Sequence, residues 1–256
     1  MIRIPDLSGK SVLVTGSSTG IGAAVAEAFA AQGARVAVHY NASAEAAQEV
    51  LDRIRAAGGE AESFQADVAA RGAADRLVEE VAARFGGIDG LVNNAGGMVR
   101  RCPVETSDDA LIDEVVDLNI RQVINASRAV VPWMRRAGGG FIINTSSVAA
   151  RNGGGPGAVL YAASKGFVST FTRGLARELV GDGIRVNAVA PGLIATAFHE
   201  RHSTPAQMEA MTRGIPMARA GTGEDCVGAY LYLASDTLSG YVTGQVVEVN
   251  GGSLMP

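Results

Sequence analysis

Tyr161 and Lys165 stand four residues apart in the stretch TSSVAARNGGGPGAVLYAASKGF, which also carries Ser147. On a helix that spacing puts them on one face, one turn apart. A phenol left alone loses its proton near pH 10 and is too weak an acid for efficient exchange at neutrality. An ammonium group one turn away favours the phenolate and lowers that pKa. A serine hydroxyl delivered by the preceding element, Ser147, then holds a substrate oxygen beside the phenol. This is equipment for moving a proton on and off a carbinol oxygen. A tyrosine and a lysine at this spacing are also a common mix of packing and solvated charge. The pair has chemical meaning only where the chain elsewhere holds a redox cofactor.

The elements that would hold one start early. Residues 10–15 are a short apolar run between Gly9 and Gly16 and read as a buried strand. Gly16-Ser17-Ser18-Thr19-Gly20-Ile21-Gly22 follows, then AAVAEAFAAQGA, a helix ending at Gly33. Strand, glycine turn and helix are the context in which a glycine pattern is informative. A dinucleotide pyrophosphate must reach backbone amides at a helix N-terminus, where the dipole favours an anion. Side chains at Gly16, Gly20 or Gly22 would block the turn, the approach or the helix–strand contact. Residues 35–40 form the second strand. It ends in Tyr40-Asn41-Ala42-Ser43, with no carboxylate to hold a ribose 2′-hydroxyl and repel a 2′-phosphate. Asn41 and Ser43 have donors for a phosphate, so NADP(H) is the preferred cofactor and NAD(H) the alternative. Both residues are also good helix N-caps, which is the competing reading.

Helix and strand alternate from there. Helices fall at 44–57, 72–85, 109–136 and 159–180; strands fall at 61–65, 88–92, 140–145, 185–189 and 246–249. Short links throughout imply right-handed crossovers: an α/β, single-domain, doubly wound parallel sheet of about seven strands, helices on both faces. Ligands on such a sheet lie at the carboxyl ends of its strands, where Gly16, Asn41, Asp67 and Asn94 all fall. Asn119, inside a helix, marks a kink or a hydrogen-bonding task. The alternation breaks at 194–219. Thr204-Pro205-Ala206-Gln207 starts a small helix there, placed as a lid over the ligand edge. His199, Arg201, His202 and Arg213 of this insertion, with Arg100 and Arg101, would make the pocket mouth basic and suit an anionic substrate. A solvated charged face explains them equally well. His199 and His202 are not expected to ligate a metal.

The chain has 256 residues, 47% of them hydrophobic, enough for one large core. A formal net charge of −4 and 19% charged residues give no basic excess for nucleic acid. Cys102 and Cys226 lie in no paired motif, which argues for a reducing compartment. With no secretory leader and no membrane-length apolar run, a cytoplasmic protein is expected.

The assembled motifs resemble the short-chain dehydrogenase/reductase family over nearly the whole chain. They comprise Thr15-Gly16-x-x-x-Gly20-Ile21-Gly22, Asp67-Val68, Asn93-Asn94-Ala95-Gly96, Asn119, Ser147, Tyr161-x-x-x-Lys165, Pro191-Gly192 with Thr196, and Gly244…Asn250-Gly251-Gly252. The resemblance implies an NAD(P)-dependent oxidoreductase with a Rossmann-type sheet. It also implies a homotetramer in which the two long helices pack against copies of themselves. Carried over, Tyr161 exchanges the proton, Lys165 lowers its pKa and holds the nicotinamide ribose, and Ser147 rather than Ser146 anchors the substrate oxygen. Asn119 supports a water linking Lys165 to solvent. Ser18, Thr19 and Ile21 belong to the phosphate turn, Tyr40 to the adenosine end, and Asp67 and Val68 to the adenine. Asn94, Ala95 and Gly96 line the cleft, and Pro191, Gly192, Ile194 and Thr196 meet the nicotinamide. Two features depart from the family pattern. Ser147 and Tyr161 are 14 residues apart, 161 − 147, one more than is common, and Asn250 stands where many relatives have Asp. Substrates that fit are small polar ketones, sugar-derived keto acids or 3-oxoacyl thioesters. The same equipment suits an NAD-dependent alcohol or sugar dehydrogenase. A sensor that binds cofactor without turnover would not need all three of Ser147, Tyr161 and Lys165.

Overall fold

Seven strands pair in the order β3-β2-β1-β4-β5-β6-β7, every neighbour parallel. They are β1 Ser11–Val14, β2 Arg35–Tyr40, β3 Glu60–Gln65, β4 Gly90–Asn93, β5 Gly140–Thr145, β6 Ile184–Pro191 and β7 Val246–Val249. The structure is a computed structural model and describes residues 3–196 and 204–255. Val12, Leu13 and Val14 are fully buried, as a continuous apolar run must be when helices cover both faces. On one face lie α1 Gly20–Ala31, α2 Ala44–Ala56 and, as numbered here, α9 Gly223–Ala234. On the other lie α3 Ala73–Phe85, α5 Gln122–Ala137 and α7 Val159–Leu179. The strand order reverses between β1 and β4, which opens a crevice at their carboxyl ends.

The helix expected over 109–136 is three pieces in one run. They are α4 Asp109–Val116, a π-helical turn Asp117–Arg121 and α5. Asn119 lies in the π turn, so the interior Asn does mark an irregularity. A one-turn helix, α6 Ala149–Asn152, follows β5, and α8 Pro205–Arg213 occupies the expected insertion. Thr204 caps α8 through a reciprocal bond with Gln207, as the sequence predicts. The helix α9 has no counterpart in the sequence reading. Its signal is a Thr222–Asp225 capping box followed by Val227, Tyr230 and Leu231 on a buried face. Among the described residues no helix is long and apolar enough to cross a membrane.

Candidate active site

The glycine turn is packed to the limit. A Cβ on Gly22 would stand 2.3 Å from the Gly16 carbonyl oxygen and 2.5 Å from Asn94 Nδ2. A Cβ on Gly16 would stand 3.0 Å from Ala95 Cα, and Gly16 and Gly20 both have positive φ, 63° and 57°. No side chain caps α1 and no acidic residue sits in its first turn, so the helix N-terminus can receive an anion. This cradle, closed to any Cβ and presenting amides, fits a dinucleotide pyrophosphate.

Neighbouring side chains brace the turn. Thr15 Oγ1 accepts from the amides of Asn94 and Ala95, both at 3.0 Å. Asn94 Nδ2 donates to the carbonyls of Thr15 and Gly16, both at 3.0 Å. The side chain of Asn94 is therefore spent on the turn, while its neighbours Ala95 and Gly96 continue along the cleft. His39 was not singled out from the sequence. Its Nδ1 accepts from the Gly16 amide at 2.8 Å and its Nε2 donates to the Ala66 carbonyl at 3.0 Å. Burial pushes its pKa below the usual 6.5 and keeps the ring neutral, as this bonding requires. Only the parallel register of β1 and β2 reveals that role, because 23 residues separate the partners.

At the end of β2, Tyr40 is half-buried while Asn41 and Ser43 are exposed. Ser43 occupies the N-cap position of α2 without a capping bond from its side chain. Asp67 is exposed and folds one carboxylate oxygen onto the Ala69 amide, while Val68 is buried beneath it. Ser18 and Ile21 are half-buried within the turn and Thr19 is exposed. Thr196 reaches back to the turn, with its Cγ2 3.2 Å from where a Gly20 Cβ would be. Pro191 accepts from the Val148 amide, and Ile194 is buried and bridged to Gly221. Gly192 packs on Asn250, whose Oδ1 accepts from the Gly252 amide at 3.0 Å. That is the structural task of Asn250, a residue whose departure from the family pattern the sequence left unexplained.

The proton equipment converges at the ends of β4 and β5. Tyr161 lies in the first turn of α7 and hydrogen-bonds Ser147. Ser146 points inward, bonded to Ser169 Oγ at 2.7 Å and to the Lys165 carbonyl at 3.1 Å. Lys165 is buried, and its Nζ donates to the Thr145 carbonyl at 2.8 Å. Nζ also lies 5.8 Å from the Tyr161 ring centroid and 3.2 Å from where a Gly96 Cβ would be. Asn119 is fully buried: Oδ1 accepts from the Gly97 amide at 3.0 Å, and Nδ2 donates to the carbonyls of Gly97 and Val115. The π turn is thereby locked to the loop after β4. Gln122, also missed from the sequence, donates to the Ala95 carbonyl at 2.8 Å and extends the lock.

The pKa directions correct one expectation. Burial raises the Tyr161 phenol, and its bond to Ser147 only partly offsets that. Burial lowers the Lys165 ammonium to about 8. The cation is anchored on the Thr145 carbonyl, and desolvation of the phenol prevails.

Three of the basic residues expected at the pocket mouth have partners. Arg100 pairs with Asp108 at 3.2 Å, Arg213 with Glu209 at 3.5 Å, and Arg101 Nη1 donates to the Pro156 carbonyl at 2.9 Å. His199, Arg201 and His202 lie outside the described residues.

A sequence-family model described as Enoyl-(Acyl carrier protein) reductase matches residues 16–253. The 3-oxoacyl-[acyl-carrier-protein] reductase FabG of Staphylococcus aureus is 40% identical over 246 residues, 96% of this chain and 98% of that one. The 3-oxoacyl-[acyl-carrier-protein] reductase of Synechocystis is 41% identical over 256 residues, 97% of this chain and 98% of that one. Among solved structures, NADH-dependent reductase A1-R′, responsible for alginate metabolism, superposes with a TM-score of 0.90 at 39% identity, covering 98% of this chain and 100% of that one. A short-chain dehydrogenase of Burkholderia cenocepacia in complex with NADP superposes with a TM-score of 0.89 at 37% identity, covering 97% and 99%. The chain belongs to the short-chain dehydrogenase/reductase family and is an NAD(P)-dependent oxidoreductase acting on C=O and CH–OH groups.

Proposed function

We propose that this dehydrogenase/reductase runs as a reductase, converting a small polar ketone, of the 3-oxoacyl or sugar-derived keto-acid type, to a secondary alcohol with NADPH. One observation carries the reading: Tyr161, in the first turn of α7, hydrogen-bonds Ser147 and lies beside the buried Lys165 at the carboxyl ends of β4 and β5. The reductases named above act on 3-oxoacyl groups and in alginate metabolism, which supports the substrate class.

Gly16 to Gly22 hold the pyrophosphate, with Ser18, Thr19 and Ile21 in the turn. Tyr40, Asn41 and Ser43 face the adenosine ribose, and Asp67 and Val68 the adenine. Ala95, Gly96, Pro191, Gly192, Ile194 and Thr196 line the nicotinamide end. A dihydronicotinamide held there would supply the hydride for the carbonyl carbon. Ser147 holds the carbonyl oxygen, and Tyr161 transfers its Oη proton to that oxygen as negative charge develops there. Lys165 would hold the nicotinamide ribose, and its positive charge would stabilise the phenolate left behind. Asn119 fixes the π turn that bounds this space and supports the water through which Lys165 meets solvent. The helix α8 acts as a lid. With Arg100, Arg101 and Arg213 engaged, an anionic substrate group gains no support from them. The apolar outer face of α7, where Phe167 stacks on Phe171 at 5.7 Å and Val159 is exposed, supports a homotetramer formed through the long helices.

Tyr161→Phe tests the central assignment. Turnover should fall by about 10³-fold or more while NADPH binding, titrated by fluorescence, stays within about twofold. Persisting activity sinks the proton-donor role.

A second reading takes NADH as reductant. It is favoured by the absence of Lys or Arg in Tyr40-Asn41-Ala42-Ser43 and by the name of A1-R′. Comparing kcat/KM for the two cofactors decides between them.

A further inference from the structure

Tyr161 stands in the first turn of a helix that nothing caps. Ala158 occupies the N-cap of α7 and offers no capping side chain. What fixes that turn comes from the loop after β4. Arg101 Nη1 donates to the Pro156 carbonyl at 2.9 Å, and the Cys102 amide donates to the Gly157 carbonyl at 2.9 Å. The contact is close: a Cβ on Gly157 would stand 3.0 Å from Cys102 N and 3.2 Å from Arg101 Cβ. Leu160, next to Tyr161, packs with Val99 against Cys102, Leu111 and Val115.

Val99 has a φ of 62°, a left-handed conformation that a β-branched residue rarely adopts. Such strain persists only where the surroundings over-determine it, and it gathers at functional sites. Here the strained residue starts a segment whose contacts run to the loop that joins Ser147 to Tyr161.

We propose that residues 99–102 are a clamp that positions the first turn of α7, with Arg101 as its positioning residue, so that Arg101 sets how the site discriminates between ketones of different bulk. The inference rests on Tyr161 and Ser147 being the proton donor and the oxygen anchor. Released from Arg101, the 153–157 loop moves away from the β4 loop, the site widens, and bulkier ketones gain relative to small ones.

The test uses the enzyme with Arg101→Ala and Arg101→Lys, the latter keeping an N–H donor of nearly the same reach. The ratio of kcat/KM for a small ketone to that for a bulky one is independent of the active fraction, so a merely destabilised protein does not move it. In Arg101→Ala this ratio should fall roughly tenfold, the scale of one charge-assisted hydrogen bond. NADPH affinity should stay within about twofold, and Arg101→Lys should recover most of the ratio. Hydrogen exchange of the peptide covering 150–160 should quicken in Arg101→Ala and not in the peptide covering 12–22. An unchanged ratio overturns the specificity role, and unchanged exchange overturns the clamp. If the wild-type enzyme reduces no ketone, the proposed reaction fails, while the exchange measurement still decides whether Arg101 holds the loop.

Discussion

The cofactor side and the substrate side of this molecule are built on different principles. Around the glycine turn, main chain is packed against main chain and pinned by short inner side chains: Gly22 against the Gly16 carbonyl, Thr15 and Asn94 bonded across from β1 to β4, His39 filling the gap to β3. Around the substrate space, loops are joined by side chains, Arg101 to Pro156 and Arg100 to Asp108, with strain at Val99. Backbone packing fixes residue identity, since only one side chain, or none, fits. Side-chain joinery leaves identity open, so specificity can change there without disturbing the fold.

Gly22→Ala should show the largest effect. The new Cβ meets a carbonyl oxygen at 2.3 Å and Asn94 Nδ2 at 2.5 Å, the latter held by its bonds to the Thr15 and Gly16 carbonyls. Stability should drop by about 1–3 kcal/mol, as overpacking does, and NADPH affinity should drop roughly 100-fold because the braced turn must open. Chemical denaturation and cofactor titration read the two. Gly228→Ala is the contrast: that helical position has open space, so alanine should stabilise by about 0.5–1 kcal/mol. A harmless Gly22→Ala would break the comparison.

Asn41→Asp comes next. It places a carboxylate at the exposed end of β2, where a ribose 2′-hydroxyl would donate to it and a 2′-phosphate would be repelled. The kcat/KM ratio of NADPH to NADH should fall about tenfold or more. No change would remove the end of β2 from cofactor choice.

These differences also explain what could be read in advance. Strands β2, β5 and β7 are legible to the residue because β-branched apolar runs are bounded by glycine or polar residues. The glycine spacing, Ser147, Tyr161 and Lys165 were visible as types at fixed intervals. His39 was not, since its partner lies 23 residues away across a strand pair. Gln122 was hidden for the same reason, because its value depends on which carbonyl the fold brings to it. The direction of the Tyr161 shift was misread. Spacing gives the distance along a helix, while burial and the Thr145 anchor of Lys165 are tertiary facts. The helix α9 escaped notice because Gly223 and Gly228 dilute its periodicity, although its capping box was present.

His39 gives a smaller effect with a definite sign. Its folded pKa lies below the usual 6.5 because burial disfavours the imidazolium, and protonation would also remove the acceptor for Gly16. As pH falls below 6.5 the unfolded chain takes up a proton that the folded chain refuses. The unfolded state then binds more protons, so stability falls with decreasing pH and is fully present above that window. The slope from one site is at most about 1.4 kcal/mol per pH unit. Denaturation midpoints at pH 7.5 and 5.5 should diverge in the wild type and less in His39→Gln. An equal divergence in both would take His39 out of the brace.

Arg100→Ala should do least, and its neighbour shows why. Arg100 and Arg101 are adjacent in sequence and look alike there, yet Arg101 reaches across to the 153–157 loop while Arg100 turns to Asp108. Asp108 is already occupied in capping α4, accepting from the Leu111 amide at 2.8 Å. Both partners of the ion pair are exposed, so solvent screens it and the pair contributes well under about 1 kcal/mol. A charge already neutralised by a carboxylate at 3.2 Å has little field left to offer an incoming anion. Arg100→Ala should therefore leave KM for both a keto acid and a neutral ketone within about twofold. A KM that rises for the keto acid alone would place Arg100 in the substrate's path and return a basic mouth to the site.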